Sequence, residues 1–408
     1  MAKVLVLPDH VASQIAAGEV VERPASVAKE LIENAIDAGA TSINISVSEG
    51  CRSIRVADNG CGMDADDAVL AFHRHATSKL RAADDLWRLS SLGFRGEALP
   101  SIASVAKVTC YTRRRESATG LRIEAMDGKL NAVETGCASG TVMEVVDLFY
   151  NVPARLNFLK KAATEFAHIL EVAQNLAIAY PEISFELLKN NEKSLRTSGS
   201  GQLEQAIREV GFISIRDSLI AVSGSDFQHG LSVSGYIASP LHFRGDRKAI
   251  LSIVNRRPVR CPLTYKALEY AYSDLIPRGR HPLAVLIVTL DAADLDVNIH
   301  PTKKEIKYSH GNEVYLTIQR AIMDALRQHG VAKTAFSATA VPEVESSFKS
   351  FSEDEYVRVS DRSLASDRSL GAASILVDTA TPSFEASPKI VGEPSAVKPQ
   401  QLGFKDRL

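Results

Sequence analysis

The chain has 408 residues, 45% of them hydrophobic and 24% charged, with a formal net charge of −2. Such a composition is that of a soluble globular protein, long enough for two ordinary domains plus some non-globular chain, and it excludes neither an enzyme nor a scaffold. The opening "MAKVLVLPDH" holds only a short apolar run before Pro8 and Asp9, and no stretch approaches a membrane span or secretion signal, so a cytoplasmic or nuclear location is expected. Cys51, Cys61, Cys110, Cys137 and Cys261 are odd in number and scattered without a Cys-x-x-Cys pair, which points to free thiols rather than a disulfide framework or zinc site.

The first element is "RPASVAKELIENAIDAGA". Pro24 suits a first helical turn, Val27, Leu31, Ala35 and Ile36 make an apolar face, and Gly39 is a natural stop in the left-handed region. Glu30, Glu33, Asn34 and Asp37 fall on the opposite face, either as the wet side of an amphipathic helix or as a functional stripe. "SINISVSEGCRSIRVADNG" then alternates apolar and polar residues across a turn at Glu49 and Gly50, the pattern of a hairpin with one buried face. Further strands are predicted at 105–112, 120–125 and 141–146, and helices at 64–71, 97–104 and 164–179. Runs of strands with helices gathered on one face imply a two-layer α+β sandwich rather than a doubly wound sheet.

A second unit is predicted over about 205–330, with strands at 231–237, 249–254 and 283–289 and a closing helix at 312–329 on which Val314, Ile318, Ile322 and Leu326 recur every four residues. The expected boundaries are 1–204, 205–330 and a tail at 331–408. Residues 337–401 are rich in Ser, Ala, Pro and acids, and "SDRSLASDRSL" repeats at a period of six, so this tail is expected to be disordered.

Charge is uneven. Residues 241–280 hold nine Lys or Arg against three Asp or Glu, an excess of +6. Arg244, Arg247, Lys248, Arg256, Arg257 and Arg260 within it could line a phosphate backbone or form a solvated surface balanced by acids elsewhere.

In "VADNGCG" a strand delivers Asp58 to its end, and Gly60 and Gly62 let the backbone turn tightly and approach a ligand closely. Alone the pattern is weak; its company raises it. A helix with Glu30 and Asn34 precedes it, and "LGFRGEAL" follows, with Gly93 and Gly96 placed just ahead of a helix start, where free amides and the positive end of the helix dipole suit phosphate oxygens.

With "QIAAGEVVERPASVAKELIENAIDAGAT", "HRHATSKL", "SLGFRGEAL", "DLFYNVPAR" and "DVNIHPTKKE" in order, residues 1–330 resemble the GHKL ATPase superfamily and, within it, the N-terminal half of the MutL mismatch-repair family. The resemblance implies a two-layer GHKL (Bergerat) sandwich followed by a smaller ribosomal-protein-S5-like domain, with ATP and Mg2+ as cofactors. It implies that Glu30 is the general base toward the attacking water, Asn34 a magnesium ligand, and Asp58 the acceptor of the adenine amino group, with Thr141 supporting that pocket. Thr77, Ser78 and Lys79 would contact the nucleotide as a lid over about 73–99 folds down, while Gly93, Arg95, Gly96, Glu97, Ala98 and Leu99 wrap the phosphates. Lys303 would reach the γ-phosphate from the second domain; from spacing alone it reads as a solvated turn lysine, and Lys304 is the alternative. His73 and His75, two apart on a predicted helix, diverge and lack a Cys or acid beside them, so no metal role is expected.

The implied function is an ATP-driven switch in mismatch repair, with double- or single-stranded DNA, a MutS-like mismatch-recognition protein, a downstream nuclease or helicase, and an ATP-dependent homodimer as partners. Alternatives are a topoisomerase-like or chaperone-like ATPase, or a DNA-binding module with a decayed pocket. No Asp-Gln-His-Ala-type motif follows the predicted tail, so no DNA cleavage by this chain is expected. The location would be cytoplasmic and nucleoid-associated in a bacterium, nuclear in a eukaryote.

Overall fold

The structure, a computed structural model, describes residues 17–18, 20–79, 91–93, 96–126, 128–212, 218–296 and 307–330. The expectations for Arg95, Lys303 and the tail from 331 lie outside these residues.

Helix α1 (Pro24–Asp37) starts at its proline and ends ahead of Gly39, whose φ of 70° is the left-handed stop. It buries Val27, Leu31 and Ala35, together with Ile32; Ile36 is only half-buried. Strands β1 (Ser42–Ser48) and β2 (Ser53–Asp58) form the predicted antiparallel hairpin. The chain continues through α2 (Ala65–Leu70), α3 (Ala98–Val105), β3 (Lys107–Arg113), β4 (Gly120–Met126), β5 (Lys129–Thr135) and β6 (Gly140–Val146). Helices α4 (Pro153–Phe158) and α5 (Ala162–Ala179), strands β7 (Ser184–Lys189) and β8 (Glu192–Arg196), and helix α6 (Leu203–Glu209) complete this part.

Strands β1 to β8 make one sheet in the order β5-β4-β3-β6-β2-β1-β7-β8. Alternate residues of its inner strands, including Ile43, Ile45, Ile54, Val56, Val108, Ile123, Val145 and Phe185, meet Ile32 of α1, Ile102 of α3 and Ile169 of α5 in a single core. This is the two-layer α+β sandwich, a sheet covered on one face by helices. The edge strand β5 has no buried residue.

The second sheet is built from β9 (Leu219–Asp226), β10 (Leu231–Ala238), β12 (Ile250–Val254), β13 (Arg257–Val259) and β15 (Ala284–Thr289). Their order is β13-β12-β15-β10-β9. Two-residue strands β11 (Phe243–Arg244) and β14 (His281–Pro282) pair beside it. Along β15 the side chains divide strictly: Ala284, Leu286 and Val288 enter a second core with α7 (Pro262–Ala271) and α8 (Gly311–Gln328), while Val285 and the preceding Leu283 enter the first and Ile287 packs against it. Leu251 and Ile253 of β12 likewise face the first core, and Ile250 and Val254 the second. The second sheet is therefore buried on both faces at its centre, and every residue of β12 is buried, the polar Ser252 included. The described residues belong to one compact unit. The expected boundary at 204/205 falls inside α6, whose Ile207 and neighbouring Val210 belong to the first core.

No described helix is long and apolar enough to cross a membrane. The five cysteines are free.

Candidate active site

Glu30 and Asn34 lie one turn apart on α1, and the end of the same helix carries Asp37 and then Ala38. The loop after β2 packs directly on that end: the Cys61 amide donates to Ala38 O at 2.9 Å, and a Cβ on Gly60 would lie 2.8 Å from the same oxygen. Asn59 pins the connection on the other side, its Oδ1 accepting from the Thr41 and Ser42 amides at 2.8 and 2.9 Å. Gly62 has a φ of 67°, and its Cβ would meet Arg113 O at 2.2 Å, so both conformation and space require glycine.

Asp58 ends β2, opposite Thr141 of β6. Burial raises its carboxyl pKa to about 6, against the opposing effect of the Gly60 and Thr141 amides; the Gly60 bond measures 2.8 Å. The Thr141 hydroxyl lies 3.1 Å from that of Thr112, which is fully buried and accepts from the Met63 amide at 2.9 Å. Thr112, which its strand pattern marked only as a sheet residue, thus joins the loop after β2 to the start of β6, whose Thr141 is opposite Asp58.

The glycine segment meets α1. Leu92 and Gly93 amides donate to Asp37 Oδ1 and Oδ2 at 2.9 and 3.0 Å, and the Lys79 ammonium pairs with Asp37 and with Asn34 Oδ1 at 3.2 Å. Gly96, with φ 63°, approaches so closely that a Cβ would sit 2.5 Å from Ala76 O. Glu97 faces the His75 ring nitrogen at 3.5 Å and precedes α3, whose first residues are Ala98 and Leu99. Thr77 is half-buried, its hydroxyl accepting from the Lys79 amide at 3.2 Å, and Ser78 is exposed. No group of three or more His, Cys, Asp or Glu able to hold a metal occurs among the described residues.

Two expectations are corrected. Glu33, read as part of a polar stripe, is 5% exposed and pairs with Lys29 at 3.3 Å, because that side of α1 is covered by the rest of the molecule. Arg257, placed in the DNA-contacting set, is 7% exposed and donates to the carbonyls of Ser91 and Leu92. Arg256 is also occupied, paired with Glu182 and lying over the Tyr180 ring at 4.5 Å. Arg244, Lys248 and Arg260 are exposed, and Arg247 pairs with Glu269.

Two family models match in tandem: "Histidine kinase-, DNA gyrase B-, and HSP90-like ATPase" over residues 22–136 and "DNA mismatch repair protein, C-terminal domain" over 207–327. The DNA mismatch repair protein MutL of Streptococcus sanguinis is 40% identical over 351 residues, 86% of this chain and 54% of the relative. The chain belongs to the MutL family.

It spans about half the length of the curated MutL relatives it matches. Among solved structures, the MutL-family chain is similar to the N-terminal domain of a DNA repair protein, with a TM-score of 0.65 and 25% identity over 79% of this chain and 99% of that one. It is also similar to the Aquifex aeolicus MutL ATPase domain complexed with ADP, with a TM-score of 0.51 and 27% identity over 66% and 93%. The sandwich of the first sheet is the GHKL type, and the second sheet with its helices is the S5-like domain that accompanies it.

Proposed function

We propose that this chain binds ATP with Mg2+, hydrolyses it slowly, and uses the bound and spent states as a switch in DNA mismatch repair. The observation that carries the reading is the convergence of three segments on one helix: Glu30 and Asn34 on α1, the Asp58 loop packed on its end, and Gly93 held by Asp37.

Asp58, when ionised, accepts from the adenine amino group, an edge that guanine lacks. Its burial beside Thr141 removes competing water. Glu30 orients the attacking water and takes its proton, since an ionised carboxylate offers only acceptors. The oxygens of Asn34 and Asp37 already surround one positive charge, the Lys79 ammonium, so they fit a cation; Asn34 would hold Mg2+ there. Bound Mg2+ neutralises charge on the phosphates. The 93–99 segment, Arg95 included, wraps the phosphates and contributes backbone amides to them, Thr77 and Ser78 add contacts, and Lys303 of the 205–330 domain meets the γ-phosphate. A near-complete two-state swing requires about 5.5 kcal/mol of differential binding, which several amides and one lysine specific to the triphosphate supply in large part.

The switched outputs are dimerisation of the ATPase region, DNA held by Arg244, Arg247, Lys248 and Arg260, and contact with a MutS-like recognition protein and a nuclease or helicase. The location that follows is cytoplasmic. ATP binding by filter assay and hydrolysis by radiolabelled phosphate release test the core of this reading. Glu30→Ala is expected to bind ATP within about threefold of wild type while hydrolysis falls 100-fold or more, the range expected for a lost general base; equal hydrolysis rates remove Glu30 from its role.

A further inference from the structure

We propose that Arg257 is a positioning residue for the nucleotide reaction: with Asp37 it clamps opposite edges of the Ser91–Gly93 backbone and ties the root of the glycine segment to the second sheet. The inference rests on the ATP-binding reading above and extends it.

Asp37 takes one edge. Its two oxygens accept the Leu92 and Gly93 amides at 2.9 and 3.0 Å, and one of them also pairs with the Lys79 ammonium. Arg257 takes the other edge, donating to Leu92 O at 3.4 Å and to Ser91 O. The Leu92 residue is thus bound at its N–H by the first helix and at its C=O by β13, while its side chain is 2% exposed in the first core. Gly93 lies close against the same groups: a Cβ there would sit 3.2 Å from Lys79 Nζ, 3.6 Å from Asn34 Oδ1 and 3.7 Å from Asp37 Oδ2, so a larger side chain would press first on the Lys79 ammonium.

The guanidinium is not a casual contact. A buried charge persists only when its donors are matched; burial lowers the Arg257 pKa, and the fields of Glu33 and Asp37, both on the helix that carries Glu30 and Asn34, and of Tyr180 act against that. Its neighbour fixes the hairpin. Asn255 and Arg256 both have positive φ in the tight turn between β12 and β13, and Arg256 stacks on Tyr180 and pairs with Glu182. The turn therefore sends one arginine to the end of α5 and the next to the glycine segment. Any shift of Ser91–Gly93 must break or redirect the Arg257 bonds, so the second sheet registers it directly.

Arg257→Lys keeps the charge and removes the fork, and Asp37→Asn keeps the shape and removes the charge. Steady-state ATP hydrolysis is measured for wild type, both single variants and the double variant. Amide hydrogen exchange over residues 250–259 is followed with and without a non-hydrolysable ATP analogue, and folding is checked by thermal melting. Arg257→Lys is expected to lower kcat tenfold or more with KM changed less than threefold, and to abolish the analogue-dependent exchange change that wild type shows at 250–259. Because both residues grip one peptide, the double variant is expected within twofold of the worse single variant. Wild-type kcat and exchange response in Arg257→Lys, or multiplicative loss in the double variant, overturns the clamp while the ATP reading stands. Absence of ATP binding by wild type overturns both. If Arg257→Ala fails to fold, Arg257→Lys still decides.

Discussion

At the scale of single residues, the site depends on where each charge is buried. Asp58 is a carboxylate whose ionised form is disfavoured by burial, which raises its pKa to about 6. The sign follows directly. A folded-state value above the ordinary 3.8 means that ionisation of Asp58 subtracts stability from the nucleotide-free fold as pH rises from about 4 to about 6. On the proposed reading Asp58 takes the adenine amino group, and its ionised form is the stronger acceptor, so ATP affinity is expected to fall as pH drops through about 6. A titration is expected to show binding about tenfold weaker at pH 5 than at pH 7, with the dependence gone in Asp58→Asn. A flat profile in wild type would show that the adenine is held elsewhere. Asp37 is the residue the sequence pattern left without a role. Its position, three after Asn34 and seven after Glu30, put it on the right face, but only the approach of Leu92, Gly93 and Lys79 shows what it binds.

At the scale of elements, local chemistry is well expressed. Pro24 opens α1 and Gly39 closes it, the β1–β2 alternation becomes a buried face, and α8 buries Val314, Ile318, Ile322 and Leu326 as its spacing requires. Edge strand β5, in which no residue is buried, and the short strand β13 carry no alternation that a sequence reading detects. Gly96 shows how a loop depends on its neighbour. A non-glycine residue at φ 63° costs about 1–2 kcal/mol, and a Cβ would also collide with backbone at Ala76 rather than with a movable side chain. Gly96→Ala is expected to lower stability by about 2 kcal/mol and to weaken ATP binding more than tenfold, read by thermal melting and by titration. An unchanged melt and unchanged affinity would mean that residues 73–79 and the glycine segment are not coupled.

At the scale of the whole molecule, the second sheet is held between two cores, and this decides which of its arginines remain available. Arg257 is buried against the first part of the chain and Arg256, although exposed, pairs with Glu182 and lies over Tyr180 there, whereas Arg244, Lys248 and Arg260 are exposed without such a tie among the described residues. Duplex binding measured against salt is therefore expected to have a steep slope. Arg244→Glu with Lys248→Glu lowers that slope by about one for each phosphate left without its cation. Arg256→Glu, by comparison, leaves the slope unchanged and lowers the melting temperature, because it places an acid beside Glu182 and removes the stacking on Tyr180. A slope change of equal size in all variants would return Arg256 to the DNA surface.

The positions of α1 to α3, α5 and α8 and of β1 to β4, β6, β10, β12 and β15, the two-layer class, the family and the candidate residues Glu30, Asn34 and Asp58 were legible in the amino-acid order. The elements depend on short-range periodicity and on backbone conformations that Pro and Gly encode locally, whereas the family and its candidate residues come from the resemblance of the motifs. Burial of Glu33, the three donors gathered at Asp37 and the turning of Arg257 inward were decided only in three dimensions. A charged side chain looks the same in sequence whether water or a carbonyl 166 residues away satisfies it, and that choice is made by how two sheets pack.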